Sequence, residues 1–83
     1  MNNIALTMKE IDYMYHAIGL DYYRPSRGVY RPCRNYFFPG EQDVVVWLGL
    51  EEEGLAKHKD GAFVVTDAGL DVIEKLILAK IKR

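Results

Sequence analysis

Asp60-Gly61, set between Ala56-Lys57-His58-Lys59 and Ala62-Phe63-Val64-Val65, limits what this chain can fold into more than any other feature. An Asp-Gly pair between two short runs supplies the positive φ angles of a type I′ turn, so these residues predict a two-residue β-hairpin. The turn also sets the register: Lys59 faces Ala62, His58 faces Phe63 and Lys57 faces Val64. One face then carries Ala56, His58, Phe63 and Val65. The other carries Leu55, Lys57, Lys59, Ala62 and Val64.

Helical patterns flank the hairpin. Before it, residues 41–53 predict a helix with Glu41 and Asp43 at its positive N-terminal end and Gly54 at its C′ position. Val44, Trp47, Leu48 and Leu50 are its inward candidates. After the hairpin, Thr66 is the expected N-cap, with Asp67 in the first turn. Leu70, Ile73, Leu76, Ile77 and Ile81 then recur at helical spacing, and Lys80, Lys82 and Arg83 gather where a helix dipole favours cations. Gly49 and Gly69 have no turn to make and are read as sites of close helix packing.

Near the N-terminus, Thr7-Met8-Lys9-Glu10 is a capping box, with Leu6 and Ile11 at the staple positions. A first helix therefore starts near Met8. Met8, Ile11, Tyr15 and Ile18 are its expected buried stripe, and Gly19 its left-handed stop. Between the first two helices, residues 21–39 carry Pro25, Pro32 and Pro39, which exclude a long helix. A connection of that length has a job or hides short elements. Gly28-Val29-Tyr30-Arg31 is the candidate hidden strand, expected to pair with the hairpin.

The 83 residues make one domain, 49% hydrophobic and of net charge −1, so no global field draws it to a polyanion. The charge is segregated. Residues 21–39 set Arg24, Arg27, Arg31 and Arg34 against Asp21, a net of about +3, whereas residues 41–53 hold five acids and no base, about −5. Cys33 is the single cysteine, which excludes an internal disulfide and points to a reducing compartment. The first ten residues lack the basic start and apolar core of a signal peptide, and no apolar run approaches the ~18 residues of a membrane span. The expectation is a soluble protein of a bacterial cytoplasm.

Leu48-Gly49-Leu50-Glu51-Glu52-Glu53-Gly54-Leu55, followed by Phe63-Val64-Val65-Thr66-Asp67-Ala68-Gly69, resembles winged-helix regulators of the multiple-antibiotic-resistance type. In that pattern a helix ends in a Leu-acidic-Gly-Leu step, a two-stranded wing follows, and Leu-Thr-x-x-Gly opens the next helix. Val65-Thr66-Asp67-Ala68-Gly69 stands in for the last motif, and the likeness covers residues 47–77. It implies a small α+β winged-helix-like domain. The first half is similar to a class of short phage-encoded proteins through His16-Ala17-Ile18-Gly19-Leu20 and Arg34-Asn35-Tyr36-Phe37, which implies a phage or prophage origin. The chain departs from the regulator pattern where a short helix would precede the recognition helix, a place taken here by the Pro- and Arg-rich loop. The helix in the recognition position is also acidic and would repel the phosphates flanking a major groove.

The loop is therefore the expected contact surface. Arg24, Arg27, Arg31 and Arg34 suit phosphates, and Tyr22, Tyr23, Tyr30 and Tyr36 suit stacking on bases. The same residue types anchor protein interfaces. The plainer alternative is that the tyrosines close the core and the arginines pair with Glu51, Glu52 and Glu53. Lys57 and Lys59 on the wing are either phosphate contacts or solvated surface residues. His16, expected to pair with Asp12, His58, expected to pack on Phe63, and Cys33, expected to be buried, form no metal-ligand spacing, so neither metal nor cofactor is expected. No nucleophile–base set or convergent pair of carboxylates indicates an enzyme or a small-molecule substrate. A protein partner or self-association ranks narrowly ahead of DNA or RNA, because acidic helix and basic loop are complementary surfaces.

Overall fold

The computed structural model describes residues 6–83. Residues 1–5, part of the stretch read for a targeting signal, lie outside the described residues. Among the described residues the architecture is a small α+β domain with three helices. A two-stranded antiparallel hairpin and a two-stranded parallel pair complete it.

The capping box at Thr7 forms in both directions: the Glu10 amide donates to Thr7 Oγ1 at 3.1 Å, and the Thr7 amide donates to Glu10 Oε1 at 2.9 Å. It starts helix α1, Met8–Ile18, which stops at Gly19 with φ 88°. The buried stripe differs from the expected one. Met14, Ala17 and Ile18 are fully buried, whereas Met8 is 72% exposed at the helix tip, beyond the core.

Residues 41–43 form a turn rather than the first turn of the second helix, so helix α2 covers Val44–Glu52. The turn has its own anchor. Asp43 accepts from the Tyr13 hydroxyl at 2.6 Å and from the Gly40 amide at 3.1 Å, tying α1 to the start of α2. Trp47 and Leu50 face inward, but Leu48 is 50% exposed. At the other end the Gly54 amide donates to the Glu51 carbonyl and the Leu55 amide to the Leu50 carbonyl, the two bonds of a Schellman stop.

Strands β2, Ala56–Lys59, and β3, Ala62–Val65, pair in the register set by the turn, with φ 51° at Asp60 and 81° at Gly61. A third strand-like segment joins them. Phe37 exchanges two backbone hydrogen bonds with Phe63, and the Asn35 side chain does the same with Val65, donating at 2.9 Å and accepting at 2.8 Å. Residues 35–37 thus cover the β3 edge that faces away from β2.

Thr66 caps helix α3, Asp67–Ile77, by accepting from the Gly69 amide. Gly69 is a point of close approach, as expected: a Cβ there would lie 2.3 Å from the Leu55 carbonyl oxygen and 2.6 Å from Val65 Cγ1. Gly49 has no such contact, its nearest neighbour being Glu10 Oε2 at 4.0 Å. The helix does not run on to Ile81. Leu78 turns left-handed at φ 54°, and Lys80–Ile81 form a strand, β4. The strand read at Val29–Tyr30, β1, pairs with β4 in parallel and not with the hairpin. Ile81 is buried by that pairing, while Leu76 is 46% exposed.

One core joins these elements. Trp47 is fully buried in an aromatic stack, with ring centroids 6.4 Å from Tyr13, 5.3 Å from Phe37 and 5.6 Å from Phe63. Offset aromatic pairs of this kind stabilise beyond their burial. Among the described residues no helix is long and apolar enough to cross a membrane.

Candidate functional site

The Arg/Tyr loop is ordered by three local devices. Ser26 and Val29 exchange backbone hydrogen bonds around Arg27 and Gly28, which have φ 54° and 75°. That is a second tight turn of the I′ kind, with Arg27 at its tip. The β1–β4 pair holds the next residues: the Lys80 amide donates to the Gly28 carbonyl and the Lys82 amide to the Tyr30 carbonyl. Tyr30 anchors the floor, being 2% exposed and donating its hydroxyl to the Ile18 carbonyl at 2.6 Å. Burial raises the Tyr30 pKa above its ordinary value, so the hydroxyl stays a donor.

Over this floor lies an open groove of about 510 Å³, lined by Tyr23, Arg24, Arg27, Tyr30, Arg31 and Cys33, with Ser26 and Val29 between them. Among the described residues no carboxylate lines it. Arg24 donates to the Leu20 carbonyl at 3.2 Å, and among the described residues neither Arg24, Arg27 nor Arg31 has a carboxylate within 4.0 Å. The acids nearby are engaged elsewhere. Asp21 takes Arg34 at 3.2 Å and His16 at 3.0 Å. Arg83 gathers Asp67, Asp71 and Glu74 of α3, which leaves Lys80 and Lys82 outside those ion pairs.

The residues singled out from sequence therefore separate. Arg24, Arg27 and Arg31 converge on the groove with Tyr23, and Tyr22 packs edge-on against Tyr23, with centroids 4.9 Å apart. Arg34 does not join them, because its guanidinium is bound to the His16 carbonyl at 2.7 Å as well as to Asp21. Tyr30 is not a stacking surface, because its ring is core. Tyr36 lies on a different surface with Phe38, their rings 5.5 Å apart and edge-to-face. Lys57 and Lys59 are exposed on the hairpin.

The other expectations for the loop also change. None of the arginines pairs with Glu51, Glu52 or Glu53 among the described residues, and Glu51 instead accepts from the His58 amide at 3.1 Å. His16 pairs with Asp21, beyond the helix stop, rather than with Asp12. Cys33 is exposed at the groove, not buried. His58 does pack on Phe63, with centroids 5.0 Å apart. Sequence reading missed Phe38, and it took Lys80 and Lys82 as a helix-end charge cluster, whereas Lys80 lies in β4. The period-two alternation of Tyr36, Phe37 and Phe38 was the available signal for Phe38. No protein-family profile matches the chain, nor does any curated protein or solved structure.

Proposed function

We propose that this chain is a non-enzymatic, winged-helix-like accessory protein of phage or prophage origin that binds nucleic acid through its basic groove. The observation that carries this reading is the groove itself: three arginines converge on a groove of about 510 Å³ that, among the described residues, no carboxylate lines. Unneutralised arginines on a concave surface are the arrangement that phosphate contacts require. The order of elements supports the fold assignment, with α2 in the recognition position, β2 and β3 as the wing, and residues 35–37 as a third strand on the β3 edge. The phage origin rests on the likeness of residues 16–20 and 34–37 noted above.

The acidic α2 is not the contact surface in this reading. The test is fluorescence anisotropy of labelled duplex and single-stranded DNA at low and physiological salt. Binding should weaken by a slope of about 0.7 to 0.9 per phosphate contact in log Kd against log salt. Replacing Arg24, Arg27 and Arg31 with Ala should lower that slope by up to about 3. An absence of binding at low salt, or a triple variant that binds like the parent, refutes the reading.

A protein partner is favoured by a separate observation. On α2, Val45 is 74% and Leu48 50% exposed, one helical turn apart, with the exposed Glu52 a turn further along the same face. An apolar strip ending in an acid suits a basic amphipathic partner. Binding of such a partner that is lost on Val45→Asp and Leu48→Asp substitution, and kept in the arginine variant, would assign that role to α2.

A further inference from the structure

The outer face of the wing has an organisation that the groove does not explain. Phe37 is paired with Phe63, so Tyr36 stands opposite Val64 and Phe38 opposite Ala62. The hairpin register places Lys57 opposite Val64 and Lys59 opposite Ala62. Two rows therefore cross the sheet, Tyr36–Val64–Lys57 and Phe38–Ala62–Lys59. Phe37 points into the core, so Tyr36 and Phe38 point out by alternation, 49% and 68% exposed. Each row has an exposed aromatic ring on one edge strand and a lysine on the other, two strand spacings or about 9.6 Å away. The rows are two residues, about 6.8 Å, apart.

A ring for a base and a cation for its phosphate, repeated in register, fits a strand whose bases are not paired. A duplex keeps its base faces stacked on one another and offers none to the rings. We infer that the outer face of the wing is a platform for single-stranded nucleic acid, with bases on Tyr36 and Phe38 and phosphates on Lys57 and Lys59.

This inference rests on the nucleic-acid reading above and adds to it the strandedness and a second contact surface. The two surfaces are continuous. Residues 31–38 lead from Arg31 at the groove to Phe38 on the platform, and Cys33, Arg34 and Lys82 line one concavity of about 380 Å³ on the way. Asp67 is the one carboxylate in the trough beside Lys57 and Lys59, and it lies within 3.7 Å of Arg83, which offsets its charge.

The experiment is anisotropy with a labelled oligothymidylate of about 15 nucleotides and a labelled duplex of equal length. The proteins compared are the full chain, Tyr36→Ala/Phe38→Ala, Lys57→Gln/Lys59→Gln and Arg24→Ala/Arg27→Ala/Arg31→Ala. Far-ultraviolet circular dichroism and Trp47 emission establish that each variant folds, which the exposure of the replaced groups favours. The parent should prefer the single strand. The aromatic variant should lose at least about tenfold in single-strand affinity with little change in salt slope. The lysine variant should lose up to about 1.4 in that slope.

An aromatic variant that binds the single strand like the parent overturns the platform. If the arginine variant has then lost binding, the groove reading stands without it. A parent chain that binds neither oligonucleotide at low salt overturns both.

Discussion

Asn35→Ala tests whether one side chain holds the hairpin to the rest of the domain. In the two-residue hairpin the Val65 amide and carbonyl point away from β2, and Asn35 satisfies both, at 2.8 and 2.9 Å. Val65 itself is 3% exposed. Each bond contributes about 1 kcal/mol net, and each group left dry costs about 1–3 kcal/mol, so the loss should be about 2–6 kcal/mol. At roughly 0.05–0.15 kcal/mol per residue an 83-residue domain has about 4–12 kcal/mol in total, so this is a large share. Urea unfolding followed by Trp47 emission measures it directly, and a loss of about 2 kcal/mol lowers Tm by about 8–16 °C. Asn35→Asp separates the two bonds. Its carboxylate still accepts from the Val65 amide but opposes the Val65 carbonyl, so at pH 7 it should cost at least as much as Ala. An Ala variant within 0.5 kcal/mol of the parent, roughly the effect of an ordinary surface change, would refute the clamp.

Three further outcomes follow from the core. Trp47→Ala should cost about 3–5 kcal/mol in chemical denaturation, here followed by circular dichroism, and a loss under about 1 kcal/mol contradicts the aromatic stack. Gly69→Ala should destabilise by about 1–3 kcal/mol, because the new methyl meets the Leu55 backbone, and a neutral result would mean that α3 slides freely. The Tyr13 hydroxyl, followed by the Gly40 amide, holds the Asp43 pKa below its ordinary 3.8. A depressed carboxyl pKa contributes stability above the unfolded value and loses it as pH falls through the folded value. The stability gap between the parent and Tyr13→Phe should therefore be full at neutral pH and narrow below about pH 4; a gap independent of pH from 7 to about 2.5 counts against the Asp43 bond.

What could be read from the sequence was what neighbouring residues decide. The Thr7 box, the Thr66 cap and the Asp60-Gly61 turn each complete their hydrogen bonds within a few residues, so composition and spacing reveal them. The end of α3 was misread because Ile77 and Ile81 are four apart, a helical interval that a left-handed Leu78 followed by a strand also satisfies. No glycine marks that stop. The β1–β4 pair and the Asn35 clamp join residues far apart in sequence through two or fewer residues each, too few to leave a pattern. At the candidate site the chemistry of the arginines was legible, but their grouping was not. Arg34 sits two residues before Tyr36 in the same composition, and only the folded position of His16 and Asp21 takes it out of the set.

The parallel pairing of Val29–Tyr30 with Lys80–Ile81 has a consequence for how occupancy of the groove would be felt. The turn that presents Arg27 is pinned by the last strand, through bonds that include those of the Lys80 and Lys82 amides. Opening that strand and loosening the groove are one event in thermodynamic terms. Any ligand that requires the closed groove must then slow hydrogen exchange at Lys80 and Lys82 by a factor set by its free concentration relative to its Kd. The C-terminal amides become a gauge of the groove, readable without a label on either partner.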